Sequence, residues 1–154
     1  MLNWFNRYAL NDKGSTAVEF GLMLPVLLLL FSGLTEHGRA FFQANAVEKG
    51  LRAATLYAAR SDSPLSAADA QIAENILKTG TADGSGALLV SGWGAAGAGH
   101  TITSTDFDLD GTPVPVIRIE ATVPFDPMVP GLATFVGLDD FSISLSHEQP
   151  HVGL

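Results

Sequence analysis

The chain has 154 residues, 47% of them hydrophobic, a net charge of −8 and no cysteine. That length suits about one domain, and the missing thiols exclude disulfides, zinc–thiolate centres and cysteine catalysis. The acidity lies beyond Arg60, where twelve carboxylates face only Lys78 and Arg118, and such a surface repels nucleic acid and anionic lipid.

The first predicted element is a membrane helix. Residues 20–35 carry no charge and would span about 24 Å, short of the ~30 Å hydrocarbon core. Counted from Ser15, the segment reaches roughly 31 Å. The leucines at 27–30 favour insertion. Glu19 then lies at the rim of the bilayer, where a charge costs less than at mid-membrane. Arg7 and Lys13 before the span, offset by Asp12, favour a cytoplasmic N-terminus. Ala44-Asn-Ala46 has the small-x-small form of a signal-peptidase site. It lies beyond Phe41, Phe42 and several charges, too far past the apolar run for that cleavage.

The helix is expected to continue as a stem to about Arg60, because residues 36–60 hold no proline and many alanines. Ala40, Ala44, Val47, Leu51, Ala54 and Ala58 recur at spacings of four and three, one helical stripe. The stripe packs either on the chain's own sheet or as a seam against another helix. Ala17 and Gly21 form a small-xxx-small pair suited to such a seam inside the membrane. Gly21, Pro25, Gly33 and Gly38 are the points where the helix can bend. The stem carries a net +2 and the rest a net −10, so stem and head can attract one another between subunits.

Ser61-Asp-Ser-Pro breaks the helix. Ser66 with Asp69 reads as the start of a short amphipathic helix through Ile72, Ile76 and Leu77 that ends near Gly80. The Gly-rich loops of residues 80–100 flank a short strand at Leu88, Leu89 and Val90. A strand over 101–109 joins the next through an Asp110-Gly111 hairpin turn. Ile117, Ile119, Ala121, Val123 and Phe125 alternate with polar residues, as do Phe141, Ile143 and Leu145, giving two half-buried strands. A helical turn is expected at 132–136, after the Asp126-Pro and Pro130-Gly131 breaks. The predicted fold class is α+β: a long N-terminal helix, membrane-spanning below and a stem above, packed on a small antiparallel sheet of three or four strands, with one short extra helix.

Gly14, Ala17-Val-Glu-Phe20, Leu24-Pro25 and Glu36-His-Gly-Arg39-Ala-Phe, with the alanines that close the helix before Arg60, together resemble the TadE-like family. These are minor pilin-like proteins of the tight-adherence (Flp) pilus, a branch of the type IV pilus systems. The resemblance covers residues 14–60 and implies a division into a leader (1–14), a transmembrane and stem helix (15–60) and a periplasmic head (61–154). It implies cleavage between Gly14 and Ser15 by a prepilin peptidase, an inner-membrane anchor with a periplasmic C-terminal part, and partnership with other pilin-like subunits and the pilus assembly platform. No catalytic set or cofactor motif emerges from the residues, and the acidic distal part argues against a nucleic-acid partner, so neither an enzyme nor a cofactor is expected.

Two roles compete for Glu19. Thr16-Ala-Val-Glu19 before an apolar run is a capping-box pattern, in which the carboxylate accepts the Thr16 N–H. Alternatively Glu19, followed by Phe20, neutralises the new Ser15 amine of a neighbouring subunit and sets assembly register. Helix packing is assigned to Ala17, Gly21, Ala44, Val47 and Leu51. Asp106, Asp108 and Asp110 resemble the start of a calcium loop, but the twelfth position is Ile117 rather than a bidentate carboxylate, so a polar turn is the expectation. A membrane-anchored periplasmic module binding a ligand or calcium is the alternative function. His37, His100, His147 and His151 show no metal-ligand spacing, and no nucleophile motif accompanies them.

Overall fold

The computed structural model describes residues 14–152 apart from 63, 136 and 139. The expected leader, Gly14 excepted, lies outside the described residues. Helix α1 runs Ser15–Ala58, roughly 66 Å of unbroken helix. Its lower part is exposed on all sides, with Gly33 the first buried residue and Glu36 the second. Pro25 lies inside it and withholds one N–H from the helical ladder. Above Glu36 the small-residue stripe turns inward: Val47, Leu51, Ala54 and Ala58 are buried in the core. Past Ala58, the Ala59 N–H still reaches Thr55 O at 2.9 Å. Ser61 caps backward onto Tyr57 O, and Pro64 cannot extend the helix.

The N-terminus of α1 departs from the capping-box expectation. Gly14 occupies the N-cap position and no side chain caps the helix. Because Ser15 is already helical, Thr16 lies inside the first turn and cannot act as a cap. The Glu19 carboxylate instead accepts a hydrogen bond from Ser15 Oγ, one turn below, at 3.4 Å.

Helix α2, Ala67–Thr79, forms for local reasons. Ser66 Oγ accepts the Asp69 N–H at 3.1 Å, and Gly80 takes the left-handed conformation (φ 76°) that ends the helix. Ala73 and Leu77 are its buried face. They press close to α1, since a Cβ on Gly50 would stand 2.5 Å from Leu77 O.

Three strands follow: β1 (Gly99–Leu109), β2 (Thr112–Pro124) and β3 (Ser142–Pro150), in the order β1-β2-β3 and antiparallel throughout. Asp110 (φ 51°) and Gly111 (φ 84°) make the β1–β2 turn in the left-handed geometry that matches strand twist. One face of β2 (Ile117, Ile119, Ala121, Val123), with Ile143 of β3, meets α1 and α2. The opposite face is polar: Arg118 donates to Glu120 at 2.8 Å and to Glu148 across the strands at 2.7 Å. The short helix α3, Pro130–Phe135, joins β2 to β3.

Two expectations are corrected. Leu88, Leu89 and Val90 form no strand. The Leu89 N–H bonds Lys78 O at the end of α2, and Val90 enters the core just before a 3-10 turn, Ser91–Gly94, that buries Trp93. The backbone there is tied to α2 and so is not offered to the sheet. Phe141 precedes β3 rather than opening it. Its carbonyl accepts the Phe125 N–H at 2.9 Å and the two rings meet edge to face at 6.2 Å.

Candidate functional site

The site with the most built-in geometry is where α1 leaves its apolar run. Glu36, Arg39 and Gln43 share one face of the helix at spacings of three and four, and all three grip the loop after β2. Glu36 is 2% exposed. Its Oε1 accepts the Val129 N–H at 2.9 Å and its Oε2 the Met128 N–H at 3.3 Å. Arg39 Nη2 donates to Asp126 O at 3.0 Å. Its Nε faces Glu36 Oε2 at 3.8 Å, an ion pair too long for a hydrogen bond. Gln43 holds Asp126 at both ends, donating to its carbonyl at 3.1 Å and accepting its N–H at 3.4 Å. Ser91 Oγ donates to the Asp126 carboxylate. The Glu36 carboxylate is thus enclosed by two backbone amides, with a guanidinium beside it.

Nearby polar groups on α1 turn back onto the helix. Thr35 Oγ1 donates to Phe31 O at 2.9 Å, and His37 Nδ1 bonds Gly33 O at 2.8 Å. Phe41 and Phe42 are 67% and 75% exposed, on the side of α1 away from Gln43 and Val47.

The other residues singled out in the sequence fall in three places. Gly14, Ser15, Ala17, Glu19, Phe20 and Gly21 line the exposed lower end of α1. Val47 and Leu51 are in the core, with Ala44 packed against it, so the upper stripe contacts the chain's own head. Asp106, Asp108 and Asp110 lie on the β1–β2 hairpin, where the Asp108 carboxylate accepts the Gly111 N–H at 2.7 Å. Among the described residues no group of three or more His, Asp or Glu side chains is gathered to hold a metal ion.

An open cleft of about 630 Å³ lies at the far end of the stem, against Leu56, Tyr57, Arg60 and Asp69. Tyr57 OH donates to Asp69 at 2.9 Å. Burial, with that bond, pushes the phenol above its ordinary 10.0, so it stays protonated. The sequence did not disclose the Glu36 clamp, although an acid, a base and an amide along one face of an alanine-rich helix were its visible trace.

The lower half of α1 holds an 18-residue window of mean hydropathy 2.1, and the helix is long and apolar enough to cross a membrane. Comparison with curated proteins and with solved structures found no match to the chain. Residues 14–56 match the family model described as TadE-like protein, so that the resemblance carried by Gly14, Glu19, Phe20, Glu36 and Arg39 holds over nearly the whole of α1, and the chain bears a TadE-like helix at the base of its α+β head.

Proposed function

We propose that this chain is a pilin-like structural subunit of a tight-adherence (Flp-type) pilus. It is held in the bacterial inner membrane by the lower half of α1, with its N-terminus cytoplasmic and its head periplasmic. The observation that carries this reading is the TadE-like match over residues 14–56, falling on a helix whose lower half is apolar and exposed on every side.

A prepilin peptidase cuts after Gly14 and leaves Ser15, the first residue of α1, with a free amine. Glu19 stands one turn above it, exposed, with the Ser15 hydroxyl as its partner. In lipid, an ammonium and a carboxylate on neighbouring subunits lower each other's cost of burial. Their pairing sets the axial register of assembly. Phe41 and Phe42 project from the stem away from the head, where an adjoining helix can cover them. The partners are other pilin-like subunits, the assembly platform and the bilayer.

The test is the mature N-terminus. Purified from a host that supplies a prepilin peptidase, the protein should begin at Ser15. Protein that supports piliation while still beginning at Met1 would overturn the reading, since the amine that Glu19 answers would never form.

A further inference from the structure

We infer that the loop and short helix between β2 and β3, residues 127–135, form a second membrane contact: an apolar foot resting in the bilayer interface beside α1. In a head so acidic, residues 127–138 carry no charge at all. Met128 is 63% exposed, Val129 49% and Phe135 69%. Leu132 and Phe135 lie on one side of α3, while Ala133, on the other, is buried with Phe125 and Leu138. The element is therefore anchored inward by Ala133 and leaves Met128, Val129 and Phe135 outward, with Leu132 half-buried between them and α1.

The Glu36 clamp fixes the level of this face. Met128 and Val129 are bonded through their amides to Glu36. With Leu132 they share a small cleft of about 170 Å³ with Phe31, Ser32 and Thr35 of α1. Phe31 lies about 7 Å down the helix from Glu36, inside the uncharged run. The exposed apolar surface of the foot is thus continuous with that of the spanning segment, where Phe31 is 70% and Leu34 75% exposed. What covers the one covers the other, and the occupant is lipid.

The inference rests on α1 crossing the membrane, and the experiment separates the two. The chain has no cysteine, so single cysteines can carry nitroxide labels on the full-length protein in phosphatidylcholine vesicles. Labels go at Leu27→Cys in the span, Met128→Cys and Phe135→Cys in the foot, and Leu109→Cys at the hairpin tip, roughly 40 Å along β2 from the foot. Accessibility to oxygen and to a water-soluble nickel chelate reports the surroundings of each. Leu27, Met128 and Phe135 should favour oxygen, with the foot labels shallower than Leu27, and Leu109 should favour nickel. Nickel access at both foot labels beside a lipid-embedded Leu27 would overturn the foot alone. Exclusion of both agents at the foot would overturn it in favour of a protein contact. Nickel access at Leu27 would overturn the membrane reading and the foot with it.

Discussion

Glu19 and Glu36 stand at the two ends of the uncharged run of α1 and meet opposite surroundings. Glu36 is sealed under the loop after β2, and its removal leaves the Met128 and Val129 amides without acceptors. Leaving such groups unpaired costs roughly 1–3 kcal/mol. Glu36→Ala should therefore lower stability by about 2 kcal/mol in denaturant unfolding of the detergent-solubilised protein. Glu36→Gln, which keeps one acceptor oxygen, should lose less. Glu19 is exposed and bonded only locally, so Glu19→Gln should leave unfolding unchanged while reducing piliation at equal protein level. Normal piliation by the Glu19→Gln variant would remove charge pairing as the role of this carboxylate. The clamp was not legible in the sequence because its acceptor partners are backbone amides about ninety residues away, and a backbone amide has no residue type to read. Glu36 and Arg39 were visible as part of a resemblance and, with Gln43, as an acid, a base and an amide along one helix face.

At the scale of elements, legibility follows how local the cause is. Helix α2 was readable because Ser66, Asp69 and Gly80 carry its start and stop within a few residues. The β1–β2 turn was readable because Asp110-Gly111 suits the left-handed angles it adopts. Residues 88–90 misled, since an apolar triplet between glycines fits a strand until Lys78 O claims the Leu89 amide. The reach of β3 to Pro150 was likewise hidden. His147, Glu148 and Gln149 have no apolar alternation, and their strand state comes from pairing with Ile119, Arg118 and Ile117. The contact of β1 with α2 carries a pH dependence. His100 packs beside Glu74 (3.8 Å) and near Lys78. Burial first, and Lys78 after it, depress the imidazole below its ordinary 6.5, with Glu74 opposing. A depressed histidine binds fewer protons folded than unfolded, so stability is present at neutral pH and falls as pH drops below about 6.5 toward the folded value. Thermal melts should shift down between pH 7 and 5, and His100→Gln should flatten that shift. An unchanged slope in the variant would assign it to other groups.

At the scale of the whole molecule, α1 is two things joined end to end: a lower half that the protein itself leaves bare, and an upper half that is one wall of the head. Val47, Leu51, Ala54 and Ala58 pack in one cluster with Ala73, Leu77, Ile117, Ile119 and Val123. Residues 151 and 152 close over the top of the stem, where the Val152 N–H bonds Ala59 O at 2.9 Å and the His151 ring bonds Ser61 O at 2.7 Å. The physical seam therefore runs across α1 near Glu36 rather than at its end. A fragment starting at residue 61 would lack Val47 and Leu51, whose burial is worth on the order of 5 kcal/mol together, and would expose the inner face of β2 to water. A domain of this size holds only about 5–15 kcal/mol in all. A fragment starting at residue 36 keeps the wall, the clamp and the clasp at the top, and gives up a segment that the head leaves almost wholly exposed. We expect the fragment starting at 36 to be folded in aqueous buffer and to melt cooperatively by circular dichroism. The one starting at 61 should lack a cooperative transition and expose its amides to rapid hydrogen exchange. A cooperative melt from the shorter fragment would mean that the sheet and α2 close a core without the stem, and that α1 serves the head as a tether instead of a wall.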